Sequence, residues 1–202
     1  MKTHKWIFAI LIASLAWTAC DEDEDNPIDK PELPDADEVF VEFAARSNRG
    51  EVVFGELAAT KATDSTVKAF AQSMVNEHNI AQDELKEIAD DHDDIDWPER
   101  RTAEQDSIMN LLESASGHSF DTLYASTQVK LHQGAADNFR AAATNATNAR
   151  VKAYANKYLP KIEMHLQRAD SIYTALATQH AAFDEGADSG DDTIGGDGET
   201  TN

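Results

Sequence analysis

Four side chains interrupt otherwise apolar helical lines in this sequence: Glu51, His78, His132 and His165. Imidazoles and a carboxylate are a donor set that divalent transition metals accept. The same groups can instead close a buried hydrogen-bond network. Left buried and unpaired they would cost several kcal/mol in total, so something must satisfy them. The two readings are a metal ion (Zn, Fe, Mn or Cu) or small polar ligand held by Glu51, His78, His132 and His165, and a network closed among these side chains. Glu77, Tyr124 and Glu163 are candidates for hydrogen bonding behind that first set.

Other chemistries lack their residues. A carboxylate-bridged two-metal site needs a Glu three places before a His, and here Val75, Val129 and Ile162 hold those places. Glu77 and Glu163 stand one and two places before a histidine, roughly 100° and 160° round the helix. Asp121 shares a face with His132 but lies about 16 Å along the axis, so it is assigned to the exposed N–H groups and dipole at its helix start. His4, His92, His118 and His180 fall off the apolar lines. The acidic loop from Asp90 to Asp96 lacks the glycine and spacing of an EF-hand. No Gly-rich phosphate loop and no Gly-x-Ser-x-Gly elbow occurs. With no nucleophile or base set in a cleft, catalysis is not the expectation.

The elements that must position the quartet follow from periodicity. Phe40, Ala44, Ser47, Glu51, Phe54 and Ala58 recur at helical spacing. Asp35 or Asp37 is the expected cap, and Thr63-Asp64-Ser65 the break before a second helix. That helix carries Val67, Phe70, Met74, His78, Ala81, Leu85 and Ile88. A shorter amphipathic piece spans about 99–114, and Ser119 is the expected cap of a third long helix with Tyr124, Gln128, His132, Ala135, Phe139 and Ala142. A fourth carries Val151, Ala155, Tyr158, Ile162, His165, Ala169, Ile172 and Leu176, with Pro160 expected to kink it. Short first and last links imply an all-α, antiparallel up-down-up-down four-helix bundle, with a short extra helix between helices 2 and 3. Counted from the connections, the quartet members differ in height by three or four residues, about 5 Å of rise.

The ends read differently. Residues 1–19 have Lys2 and Lys5 before an apolar run, too short for the roughly 20 residues that span a bilayer, and so read as a signal peptide. Thr18-Ala19-Cys20 resembles a bacterial lipobox, which makes Cys20, the chain's only cysteine, a lipidation site. Residues 20–36 hold eight acids and one base and read as an acidic tether. The run from Asp21 to Asp25 resembles the surface-export signal of Bacteroidota lipoproteins. Residues 184–202 form an acidic tail with no base, in which Asp192-Thr193-Ile194 resembles a short O-glycosylation acceptor. The expected location is the cell envelope, lipid-anchored to the outer membrane, periplasmic or surface-exposed, with the membrane reached through Cys20.

Composition agrees. The net charge of −21 excludes phosphate neutralisation by Lys and Arg, hence nucleic acid as a partner. Removing residues 1–19 makes the chain −23, of which the bundle over 37–183 carries −9, from 23 acids and 14 bases. A single cysteine excludes an internal disulfide framework and a cysteine zinc cluster.

Four blocks together carry a resemblance: Phe40-Val41-Glu42-Phe43-Ala44-Ala45 with Glu51; Ala69-Phe70-Ala71-Gln72-Ser73-Met74 with His78; Ser119-Phe120-Asp121-Thr122-Leu123-Tyr124 with His132; and Tyr158-Leu159-Pro160 with His165-Leu166. Over about 37–177 the chain resembles the family named domain of unknown function 4142. The resemblance implies a ferritin-like fold in an exported protein and supports the four polar positions. The acidic residue that often precedes the third-helix histidine in that family is Leu131 here. The family has no established activity, so the alternatives remain an envelope-anchored metal- or ligand-binding bundle and a non-catalytic structural or interaction module.

Overall fold

The computed structural model describes residues 30–187. The expected signal peptide, Cys20, the acidic run after it and Asp192-Thr193-Ile194 lie outside the described residues. The described residues form five helices: α1 (Asp35–Lys61), α2 (Ser65–Ala89), α3 (Ala103–Ser114), α4 (Gly117–Asn145) and α5 (Ala149–Ala187). No strand occurs among the described residues. The class is therefore all-α, a helical bundle. α1 packs chiefly on α2 and α4 chiefly on α5, and the two pairs meet along α1–α4 and α2–α5.

The links before α2, α4 and α5 are short, whereas residues 90–102 join α2 to α3. Asp64 ends the first link by accepting from the N–H groups of Thr66 and Val67 at 2.7 and 3.1 Å, as an N-cap should. Thr102 and Gln105 form a reciprocal capping box that starts α3, four residues later than the 99 expected. α4 starts at Gly117, ahead of Ser119, because Gly117 has φ +55° and turns the chain in from Ser116. α5 continues through Pro160. It also extends to Ala187, so residues 184–187 are helical where the tail was expected to begin.

Two expectations about caps change. Neither Asp35 nor Asp37 caps α1, whose N-cap is Pro34 with no side-chain bond. Asp37 is buried and reaches the far link, accepting from the N–H groups of Thr147 and Asn148 at 3.0 and 2.6 Å and from the Thr147 hydroxyl. Asp121 reaches the other way, accepting from the N–H groups of Thr63 and Asp64 and from the Thr63 hydroxyl at 2.5 Å. It was expected to serve its own helix start, but its hydrogen bonds go to the α1–α2 link of the opposite helix pair.

That reciprocity is written in the sequence. Asp37 and Asp121 are 84 residues apart, and so are Thr63-Asp64 and Thr147-Asn148. Ala58-Ala59-Thr60 and Val67-Lys68-Ala69-Phe70-Ala71 recur at the same offset as Ala142-Ala143-Thr144 and Val151-Lys152-Ala153-Tyr154-Ala155. The bundle is an internal tandem repeat of a helix pair.

The boundary of the tether also moves. Leu33 is buried in the core beside Phe40 and Ile88, and residues 30–33 bind the loop after α2. Lys30 N–H donates to Asp93, Leu33 N–H to Asp94 at 2.9 Å, and His92 Nδ1 to the Pro31 carbonyl at 2.5 Å. One apolar side chain suffices to dock this stretch, because the acidic loop supplies acceptors for its otherwise free backbone donors.

The core divides into two apolar clusters. One holds Phe40, Leu85, Phe139 and Tyr154, the other Phe54, Met74, Leu112 and Phe120. Gly55 lets α1 approach α2 closely, since a Cβ there would lie 2.8 Å from Val75 Cγ2 and 3.1 Å from the Ala71 carbonyl. His78, His132 and His165 line a cavity bordered by members of the first cluster.

Candidate functional site

His78 on α2, His132 on α4 and His165 on α5 are all buried and face one another, with ring centroids 5.4–5.7 Å apart. One ring nitrogen from each lies within 4.8 Å of one from each of the others. With Asn48, Glu51, Glu77 and other residues they line an internal cavity of about 20 Å³, room for one water-sized body.

Hydrogen bonding fixes which nitrogen each ring keeps free. Tyr154 donates its only hydroxyl proton to the Ala81 carbonyl at 3.1 Å, so its oxygen must accept from Asn48 Nδ2, also at 3.1 Å. Asn48 therefore turns Oδ1 toward His78 Nδ1, at 2.9 Å, and that nitrogen must be the N–H. His132 Nδ1 faces the Gln128 backbone carbonyl at 3.0 Å, so it too is the donor. His165 Nε2 faces the Glu77 carboxylate at 3.3 Å and donates. The remaining nitrogens, His78 Nε2, His132 Nε2 and His165 Nδ1, have no hydrogen-bond partner.

Electrostatics keep these three nitrogens as lone pairs. Burial pushes His132 down to about 3, aided by neighbouring His165. Burial likewise pushes His78 well down, reinforced by the two other rings. His165 is lowered by burial, with Glu77 pulling the other way. Glu77 is itself raised by partial burial but more strongly lowered by its bond from Ser73 and by His165, so it stays a carboxylate.

Glu51 occupies a different place from the one expected. It is buried and lines the cavity, but its carboxylate is not among the atoms gathered within 4.8 Å. Its Oε1 lies 3.8 Å from His132 Nδ1, behind that ring, where the proton is already given to Gln128. Burial raises its carboxyl to about 7, with the Gln128 amide pulling it back. Of the other candidates, Glu77 orients His165, and Tyr124 is buried with an unpartnered hydroxyl that burial and Glu51 push up. Glu163 does not reach the site. Its side chain is half exposed and accepts from Arg140 at 2.8 Å, because two residues before His165 is the outer face of α5.

Asn48 was not among the candidates, although it sets the His78 tautomer. The 84-residue offset would have found it, because Asn48 is the counterpart of His132. Five such pairs line the cavity: Asn48/His132, Glu51/Ala135, Glu77/Lys161, His78/Ile162 and Ala81/His165. The cavity thus lies where the two repeats meet, with unlike residues at equivalent positions.

The fold and site define a class: a helical bundle with a buried three-imidazole centre between two repeats. The family model for domain of unknown function DUF4142 matches residues 24–172, and the chain belongs to that family. Among solved structures, a DUF305 fragment from Deinococcus radiodurans is similar, with TM-score 0.64 and 10% identity over 72% of this chain and 99% of that one. A DUF305 protein from Streptomyces coelicolor gives TM-score 0.60 and 14% identity over 70% and 94%. These likenesses concern the fold. No curated protein matches. Among the described residues no helix is long and apolar enough to cross a membrane.

Proposed function

We propose that this protein is an envelope metal-binding module that holds one divalent transition metal ion on His78 Nε2, His132 Nε2 and His165 Nδ1. The observation that carries the proposal is the set of three lone pairs, each fixed by a hydrogen bond on the opposite side of its ring. Three acceptors cannot satisfy one another. A water molecule has two protons and leaves one acceptor over, whereas a dication meets all three. Neutral imidazoles suit Zn, Cu and Fe, while the oxygen preference of Mn fits the set less well. Asn48, the Gln128 carbonyl and Glu77 play the orienting part that such ligands require. Glu51 lies behind His132, 3.8 Å from its Nδ1. The contact pattern and short links support an antiparallel up-down-up-down, ferritin-like arrangement. Attachment to the outer membrane through lipidated Cys20 rests on the sequence of residues 1–25.

The test is calorimetric titration of zinc into chelator-stripped full-length protein. One ion per chain is expected, with melting raised by roughly 5–10 °C at a hundredfold excess over Kd. The His78→Ala/His165→Ala double variant should lose both effects. Absence of stoichiometric uptake would leave the structural or interaction module as the function.

A further inference from the structure

We propose, resting on the metal reading, that the ion reaches the three imidazoles through the seam between α2 and α5, where the Glu77 carboxylate captures it before the rings close on it. Glu77 then has two parts: it orients His165 and it draws the cation in.

The route follows from which parts of the wall meet solvent. The three ligand rings are buried, and of the residues lining the cavity only Ser47, Glu77 and Lys161 are partly exposed. Of these three, Glu77 alone is anionic. Its Oε2 reaches from α2 to His165 Nε2 on α5 at 3.3 Å, and Lys161 stands about one turn before His165. Both charged side chains therefore stand at the seam between these two helices. The cavity holds one water-sized body, which the ion itself fills, so capture falls to a group outside the ligand set.

Charge decides how the seam treats a cation. An ion leaving water needs donors to replace its hydration, and Ala81, Ala135, Phe139 and Ile162 of the wall offer none. The Glu77 side chain is 30% exposed and pairs with no lysine or arginine among the described residues, so its field acts on an incoming ion. Lys161 opposes it: the ammonium lies 5.4 Å from the Tyr158 ring centroid and makes no ion pair among the described residues. His165 is the ring that Glu77 touches and the one with the longest orienting bond, 3.3 Å against 2.9 Å for His78 and 3.0 Å for His132. An ion at Glu77 is thus separated from its final place by the least firmly held of the three rings.

The experiment mixes chelator-stripped full-length protein with cobalt(II) in a stopped-flow instrument and follows the visible absorption, separating association from dissociation. Glu77→Gln keeps a carbonyl oxygen for His165 Nε2 and removes the charge. Association should slow about tenfold and lose most of its salt dependence, with dissociation changed by no more than about threefold. Lys161→Gln should speed association about threefold. Lys68→Gln makes the same change ten residues before His78, about 15 Å of helix rise, and should leave both rates unaltered. If Glu77→Gln speeds dissociation but leaves association and its salt dependence unchanged, Glu77 only orients His165, and the inference fails while the metal reading stands. Equal effects of the two lysine variants would also overturn it. Failure of cobalt to load removes both.

Discussion

His132 is the ring held from most sides: its Nδ1 donates to Gln128, Glu51 lies behind it, and its Nε2 faces two other imidazoles. Such orientation by a hydrogen bond on the far nitrogen governs affinity as much as the ligand atom does. Asn48→Leu keeps the size but removes the acceptor for His78, and zinc affinity should fall about 10–100-fold. Asn48→Asp keeps an acceptor and should lose less; equal losses in competition titrations would contradict the assigned tautomer. The metal-free protein should also show opposed pH effects. Its histidines are depressed, His132 to about 3, against 6.5 unfolded. Below pH 6.5 the unfolded chain takes up protons that the fold refuses, and stability falls by up to about 1.4 kcal/mol per unit per histidine. Glu51 is raised from 4.5 to about 7, so its contribution is complete below 4.5 and is lost as pH rises through 7. Glu51→Gln should therefore benefit stability more at pH 8 than at pH 5, by roughly 1–3 kcal/mol. Urea unfolding at both values measures this, and equal effects would mean that Glu51 is not buried as a carboxyl.

The helices obey local rules, while their connections depend on distant partners. Asp64 is an ordinary N-cap, and Asp64→Ala should cost about 1 kcal/mol. Asp121 satisfies two backbone donors and a hydroxyl across the bundle from a fully buried position, so Asp121→Ala should cost more, about 2–4 kcal/mol. Asp37→Ala should behave like Asp121→Ala, and thermal or urea denaturation of the three variants settles the ranking. Helical periodicity made the long helices legible, because Phe40, Phe70, Tyr124 and Ile162 repeat at the spacing that buries one face. It also found all three histidines. It could not show that Asp37 and Asp121 reach across, since nothing within one helix records a partner 110 or 58 residues away. Leu33 escaped for a similar reason: one apolar residue in an acidic, proline-containing stretch has no period.

At the scale of the whole molecule, the bundle consists of two helix pairs that resemble each other at an 84-residue offset and differ at their junction. The repeat was present in the sequence, but similarity at an 84-residue offset emerges only when the chain is compared with itself, not from composition or window patterns. Its consequence is a single asymmetric centre, in which histidine faces asparagine, isoleucine or alanine at the equivalent place. The net charge of −21 belongs mostly to the two ends and does not report on this centre. The most direct test is anomalous diffraction at the zinc edge from crystals of the zinc-loaded protein. One ion is expected, about 2.0–2.1 Å from His78 Nε2, His132 Nε2 and His165 Nδ1. An ion bound elsewhere, or three rings hydrogen-bonded through ordered water with no anomalous peak between them, would contradict a metal centre built on these three imidazoles.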